Sequence, residues 1–184
     1  VAQFLAVTWP NVNRFVAFDL DADRSETFGE ALLTLRPDAS FSIASGLVDL
    51  MSECQMVSFG TTAITPYVDD LDVSPPGSTI LHVSLRDLSA GTILSNHNIV
   101  DDLDHVNRAA TSIHLASQQA GHTDFVHSSL GDILLGNTRL PERDGRKVIF
   151  SPFGLGVLDL AVADLVMNSL ADSSGGTRVD SFLP

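Results

Sequence analysis

The sequence predicts an α/β protein built on a doubly wound parallel sheet. Three observations carry that expectation. Short runs rich in β-branched and aromatic residues alternate with helical stretches along most of the 184 residues, the pattern of strands joined by right-handed crossovers. Gly, Pro, Asn and Asp punctuate the runs where turns are needed. Residues 148–166, VIFSPFGLGVLDLAVADLV, then set a buried strand, a glycine-punctuated turn and an apolar helix in succession.

Taken in order, residues 1–9 (VAQFLAVTW) read as a helix broken by Pro10-Asn11, and residues 13–18 (NRFVAF) as a strand ending at Asp19. A helix capped by Asp21 or Asp23 follows, with Phe28, Leu32 and Leu35 as its apolar stripe. Residues 40–44 are a strand, 46–54 a helix and 55–59 a strand that runs into Gly60-Thr61-Thr62. A strand over 78–83, a short helix over 89–94 and a strand over 98–100 continue the alternation. Residues 101–121 are mostly helical, 124–136 contain a further helix, and 137–146 form a polar loop. Pro152 stops the closing strand, because it lacks an N–H and biases Ser151 away from helix. Gly154 and Gly156 give the next turn room for a close approach. Between Val157 and Met167 only Asp159 and Asp164 are polar, so that helix is expected between layers or subunits. The tail from Ser173 is loop-like.

Composition narrows the function. Ten Lys and Arg stand against 23 Asp and Glu, a formal net charge of −13, so there is no basic stripe for nucleic acid. Lys147 is the single lysine, which leaves arginines and backbone N–H groups to meet an anionic substrate. Cys54 stands alone, its setting favours a buried thiol, and a cytoplasmic address is the simplest fit. No apolar run approaches the ~20 residues of a membrane span. A hydrophobic content of 44% is high for a freestanding small domain and points to apolar faces meant for a partner or a further segment.

Chemistry is expected at the carboxyl ends of the strands, the rim where open α/β sheets bind ligands. Asp19 is placed to hydrogen-bond an adenosine ribose, which favours NAD over NADP; the plain alternative is a loop or capping aspartate. Thr61 and Thr62 would then line the cofactor groove. The run His82-Val83-Ser84-Leu85-Arg86-Asp87 delivers Ser84, Arg86 and Asp87 to the same rim. A carboxylate enclosed there is expected to have its pKa raised toward the working range; the alternatives are an Arg86–Asp87 pair or a helix cap. Histidines 105, 114, 122 and 127 show no convergent ligand spacing, and no metal site is expected. Nucleophile-elbow and P-loop motifs are absent from the sequence.

The run S-P-F-G-L-G-V-L-D from Ser151 resembles the C-terminal signature of the ornithine cyclodeaminase and mu-crystallin superfamily. Residues 107–115, N-R-A-A-T-S-I-H-L, resemble the R-x-N-T-S-x-H-L run of its 2,3-diaminopropionate branch, with Ala110 where asparagine is usual. The resemblance implies a Rossmann-like NAD-binding domain over residues 1–152, lacking its first strand and glycine-rich turn. It implies that residues 153–184 hold the glycine turn and a helix returning to the substrate and dimerisation domain of a homodimer. VAQFLAV resembles the segment just past the family's glycine turn, so the chain is expected to be the C-terminal part of a longer enzyme. Asp87 is implied as the acid/base, Arg86 and Arg108 as contacts to an amino acid substrate. Asp19, Thr61, Thr62, Ser84, Phe153, Gly154, Leu155 and Gly156 are implied as cofactor contacts. The implied reaction is NAD-dependent oxidative cleavage of N-(2-amino-2-carboxyethyl)-L-glutamate to 2,3-diaminopropionate and 2-oxoglutarate, with an ornithine cyclodeaminase or ketimine reductase activity, or an inactive fragment, as alternatives.

Overall fold

A computed structural model of the protein describes residues 1–170, in two compact units that meet between Phe153 and Gly154. The first unit carries two parallel sheets. One pairs β1 (Arg14–Ala17) with β2 (Ser40–Ile43). The other has the order β3 (Met56–Phe59), β4 (Thr79–His82), β7 (Val148–Ser151), β5 (His97–Val100), β6 (Val126–Ser129). Helix α1 (Ala2–Thr8) precedes β1, and α2 (Ala22–Leu35), α3 (Leu47–Glu53), α4 (Ala90–Leu94), α5 (Leu103–Val106), α6 (Ser112–Ala120) and α7 (Leu130–Leu134) lie between the strands in sequence. The last strand, β7, is inserted at the centre, pairing Ile80 with Ile149 on one side and Asn98 with Ile149 on the other.

Burial follows the strand pattern. Ile80, Ile93, Ile149, Leu88 and Val106 are fully enclosed, and each such side chain stabilises the fold by roughly 1.5–3 kcal/mol. β5 is buried at all four positions, so the amide donors of its Asn98 must find partners inside the protein. Its Nδ2 donates to the carbonyls of Ile93 at 2.8 Å and Asn96 at 2.9 Å, tying the end of α4 to the sheet.

Several expectations change. The stripe of α2 that packs inward is Ser25, Gly29 and Leu32, while Phe28 and Leu35 are exposed. The small face wins because the Phe41 ring of β2 lies over Gly29, where a Cβ would sit 2.3 Å from a ring carbon. Residues 124–136 hold β6 as well as the short α7. The helical stretch 101–121 breaks at Ala109 and Ala110, both at positive φ. Cys54 is only half-buried, and burial pushes its thiol pKa up.

In the second unit α8 (Gly156–Leu170) is apolar nearly all round, yet none of its residues is buried. Among the described residues no helix is long and apolar enough to cross a membrane. The tail from Ser173 lies outside the described residues.

Gly29→Ala tests the α2 packing. Alanine adds about 1 kcal/mol of helix propensity, but the overlap with Phe41 outweighs it, and a net loss of roughly 1–3 kcal/mol is expected. Urea denaturation reads this directly; an unchanged or higher midpoint would mean that the ring swings aside.

Candidate active site at the sheet rim

At the end of β4 the chain turns through Leu85, a non-glycine residue at φ 69°, and folds Asp87 back beneath the rim. Asp87 is fully buried. Its Oδ1 accepts hydrogen bonds from the Thr61 hydroxyl and from Tyr67 Oη, the latter at 3.0 Å, and its Oδ2 accepts from the Ser84 hydroxyl. The backbone reinforces the arrangement, since the amides of Tyr67 and Val68 both donate to the Asp87 carbonyl at 2.9 Å. Asp87 is not a helix cap. Ser89 fills that role at α4, its hydroxyl accepting from the Thr92 amide.

The charge of this carboxylate is settled by its donors. Burial works to raise its pKa, but the hydrogen bonds it accepts from the Ser84, Thr61 and Tyr67 hydroxyls work against burial, and the carboxyl is held below the usual range. The expected upward shift is therefore reversed. Enclosure alone predicts protonation, whereas enclosure among hydroxyl donors favours the anion. Tyr67 shows the complement: burial, then the charge of Asp87 and the hydrogen bond to it, push the phenol up to about 12.

His82, also fully buried, underlies the cluster. Its Nε2 lies 3.1 Å from the Asp87 amide nitrogen and 3.2 Å from Asp87 Oδ2, and one ring nitrogen cannot accept from the first and donate to the second. The amide proton is fixed by the peptide plane, so we place the ring proton on Nδ1, 3.3 Å from Ser151 Oγ in β7. Three hydroxyls then still donate to the carboxylate.

The other expected site residues fall as follows. Asp19 is exposed at the end of β1, with Oδ1 accepting from the Asp21 amide at 2.9 Å. It lines a cleft of about 810 Å³ together with Gly60, the neighbour of Thr61. Thr62 is exposed beside them. Arg86 donates through Nε and Nη2 to the Ala109 carbonyl, and Arg108 donates likewise to the Asp104 carbonyl. Neither forms an ion pair among the described residues. The Phe153 amide donates to Asp101 Oδ1 at 3.0 Å, while Gly154, Leu155 and Gly156 belong to the second unit. Tyr67, His82 and Ser151 were not expected at the site. Tyr67 lies in a loop without periodicity, and His82 and Ser151 occupy strand positions that read as core. Tyr67 is nonetheless the single tyrosine of the chain, close after Gly60-Thr61-Thr62.

The fold is similar to that of several solved proteins, among them a probable ornithine cyclodeaminase of Bordetella pertussis Tohama I, with a TM-score of 0.70 at 17% identity over 96% of this chain and 66% of that one. The Δ1-pyrroline-2-carboxylate reductase of Thermococcus litoralis, solved with NADH and L-proline, superposes with a TM-score of 0.82 at 18% identity, over 91% of this chain and 53% of that one. The structure of CmnK superposes with a TM-score of 0.82 at 26% identity, over 100% of this chain and 54% of that one. No family model matches. Among curated proteins, the N-((2S)-2-amino-2-carboxyethyl)-L-glutamate dehydrogenase of Staphylococcus aureus is 20% identical over 182 residues, 98% of this chain and 54% of that protein. The chain thus spans about half the length of the curated relative it matches.

With one tyrosine, the phenolate absorbance isolates Tyr67. Its folded pKa lies above the unfolded value, so its contribution to stability is complete below about pH 10 and is lost as pH rises toward the folded value near 12. The absorbance midpoint is expected near 12, and to fall in Asp87→Asn while burial still holds it above about 10. A midpoint that stays the same in the variant would separate Tyr67 from Asp87. Ala110→Gly, which relieves a φ of 53°, is expected to stabilise the protein by about 1 kcal/mol; a lowered denaturation midpoint would count against strain there.

Proposed function

We propose that this chain supplies the dinucleotide-binding half of an NAD-dependent amino acid dehydrogenase. The carrying observation is the rim, where the buried anion Asp87 and its hydroxyls stand beside the Asp19–Gly60 cleft. The exposed Asp19 carboxylate retains acceptor capacity for ribose hydroxyls, and the exposed Thr61 and Thr62 suit the same ligand. Within the first unit, Ser84 and Phe153 complete the proposed cofactor contacts. Arg86 and Arg108, free of acidic partners among the described residues, are the proposed contacts for substrate carboxylates.

The proposed reaction is oxidative cleavage of N-(2-amino-2-carboxyethyl)-L-glutamate, supported by the similarity to the Staphylococcus aureus dehydrogenase along 98% of the chain. Bound NAD supplies the hydride acceptor. The carbon that loses hydride is the glutamyl carbon attached to the secondary amine; water then hydrolyses the resulting imine to 2,3-diaminopropionate and 2-oxoglutarate, and one proton is released. Asp87 holds a fixed negative charge that favours the cationic imine, and it orients the hydroxyls of Thr61, Ser84 and Tyr67 toward their ligands. Its depressed pKa suits this work better than proton shuttling. The exposed apolar surface of α8 supports a homodimer, and a cytoplasmic address fits an enzyme using soluble NAD.

A polypeptide of the relatives' full length, given the glutamate adduct and NAD, is expected to form reduced nicotinamide, 2,3-diaminopropionate and 2-oxoglutarate in equal amounts. Turnover of ornithine or a cyclic imine instead would assign one of the other activities of the superfamily. No turnover of any of these overturns the dehydrogenase reading. Asp87→Asn is expected to lower kcat/KM by roughly 10²-fold, and Asp19→Ala to weaken NAD binding while leaving NADP binding little changed.

A further inference from the structure

His82 is a titratable side chain with no exposed surface, and the proposed reaction makes no use of it. Neighbours from two strands and one turn fix its ring. Phe59, its register partner in β3, meets it edge-on with ring centroids 6.3 Å apart. Ser151 Oγ of β7 lies 3.3 Å from Nδ1, and the Asp87 amide nitrogen lies 3.1 Å from Nε2. The ring thus closes the turn between residues 82 and 87 from the inside. Other anchors of this turn are backbone groups: the Ser84 amide donates to the Phe59 carbonyl at 3.1 Å, and the Asp87 carbonyl accepts from the amides of Tyr67 and Val68 at 2.9 Å. The Asp87 amide is met instead by a side chain, and that side chain has two ways of carrying its proton.

The two ways have different consequences, because Nε2 is almost equally far from the Asp87 amide nitrogen, at 3.1 Å, and from Asp87 Oδ2, at 3.2 Å. A bare Nε2 accepts from the amide and leaves Oδ2 to the Ser84 hydroxyl. An Nε2–H would take Oδ2 and leave the buried amide without an acceptor. The tautomer is set by what the other nitrogen bonds, and Ser151 Oγ gives an Nδ1–H its acceptor. We infer that His82 is a positioning residue: as the Nδ1–H tautomer held by Ser151, it pins the Asp87 amide and so keeps the carboxylate under the hydroxyls of Thr61, Tyr67 and Ser84. An aliphatic side chain would fill the same space, so the imidazole is there for its lone pair. The inference deepens the reading of Asp87 as the charge of the site and rests on it, but its consequences are visible without turnover.

Two measurements on the 184-residue chain test it. With histidine labelled at both ring nitrogens, nitrogen NMR at neutral pH is expected to show a protonated Nδ1 and a bare Nε2 for the ring whose signals vanish in His82→Gln. An Nε2–H there overturns the inference whether or not any variant folds as well as the parent. The second measurement is the phenolate absorbance of Tyr67, the single tyrosine, which reports the carboxylate beside it. His82→Gln, whose Oε1 can accept from the Asp87 amide, is expected to keep the midpoint near 12. His82→Leu, which fills the space without an acceptor, is expected to lower it by about one pH unit. Equal midpoints in the two variants, whether both unchanged or both lowered, reduce His82 to a packing residue and overturn the inference. None of these outcomes bears on the dehydrogenase reading, which turnover of the glutamate adduct decides separately.

Discussion

The rim of this protein depends on one buried negative charge. An isolated carboxylate taken out of water costs several kcal/mol, and Asp87 is stable there only because three hydroxyls converge on it from separate places in the chain. Thr61 comes from the loop after β3, Tyr67 from further along that loop and Ser84 from the turn after β4. The charge therefore organises as much as it is organised: its donors fix the loops, and the loops exclude the water that would otherwise solvate it. Because the donors are neutral, the negative charge is not cancelled. It lies in surroundings where electrostatic effects are less screened than in water.

Backbone strain is concentrated on the same side of the sheet. The non-glycine residues at positive φ among those described are Leu85, Ala109 and Ala110. A left-handed conformation costs such residues about 1–2 kcal/mol each, and it persists where other contacts require it. Here they do. The Leu85 carbonyl accepts from the Ser112 amide at 2.8 Å, and the Ala109 carbonyl takes the Arg86 guanidinium. The turn after β4 is thereby stitched to the start of α6, where the Thr111 hydroxyl caps the helix by accepting from the His114 amide. Asparagine tolerates this conformation better than alanine, so Ala110 carries backbone strain that an asparagine at the same place would lessen.

The alternation of strands and helices was legible because each strand carries enough apolar residues to mark a period. β6 was not: Val126 is followed by His127, Ser128 and Ser129, and the pairing that makes it a strand comes from β5. The inward face of α2 was misread for a related reason. Hydrophobicity selects Phe28 and Leu35, while close packing against Phe41 selects Gly29, and the second requirement is invisible without the neighbouring strand. At the site, Asp87 was legible from its position after a strand. Its protonation was not, because that depends on Thr61 and Tyr67, which lie 26 and 20 positions away.

The position of β7 connects these features. Among the described residues it is the last strand in sequence and the central one in its sheet, so β4 and β5 have no common neighbour until residues 148–151 arrive. Contacts of such sequence separation form late and at a high cost in loop entropy. The same strand brings Ser151 to His82 Nδ1, and that contact orients the ring whose other nitrogen accepts from the Asp87 amide. Sheet closure thereby supports the ring that lies beneath the buried anion. The site is a property of the completed sheet, even though its rim residues come from loops.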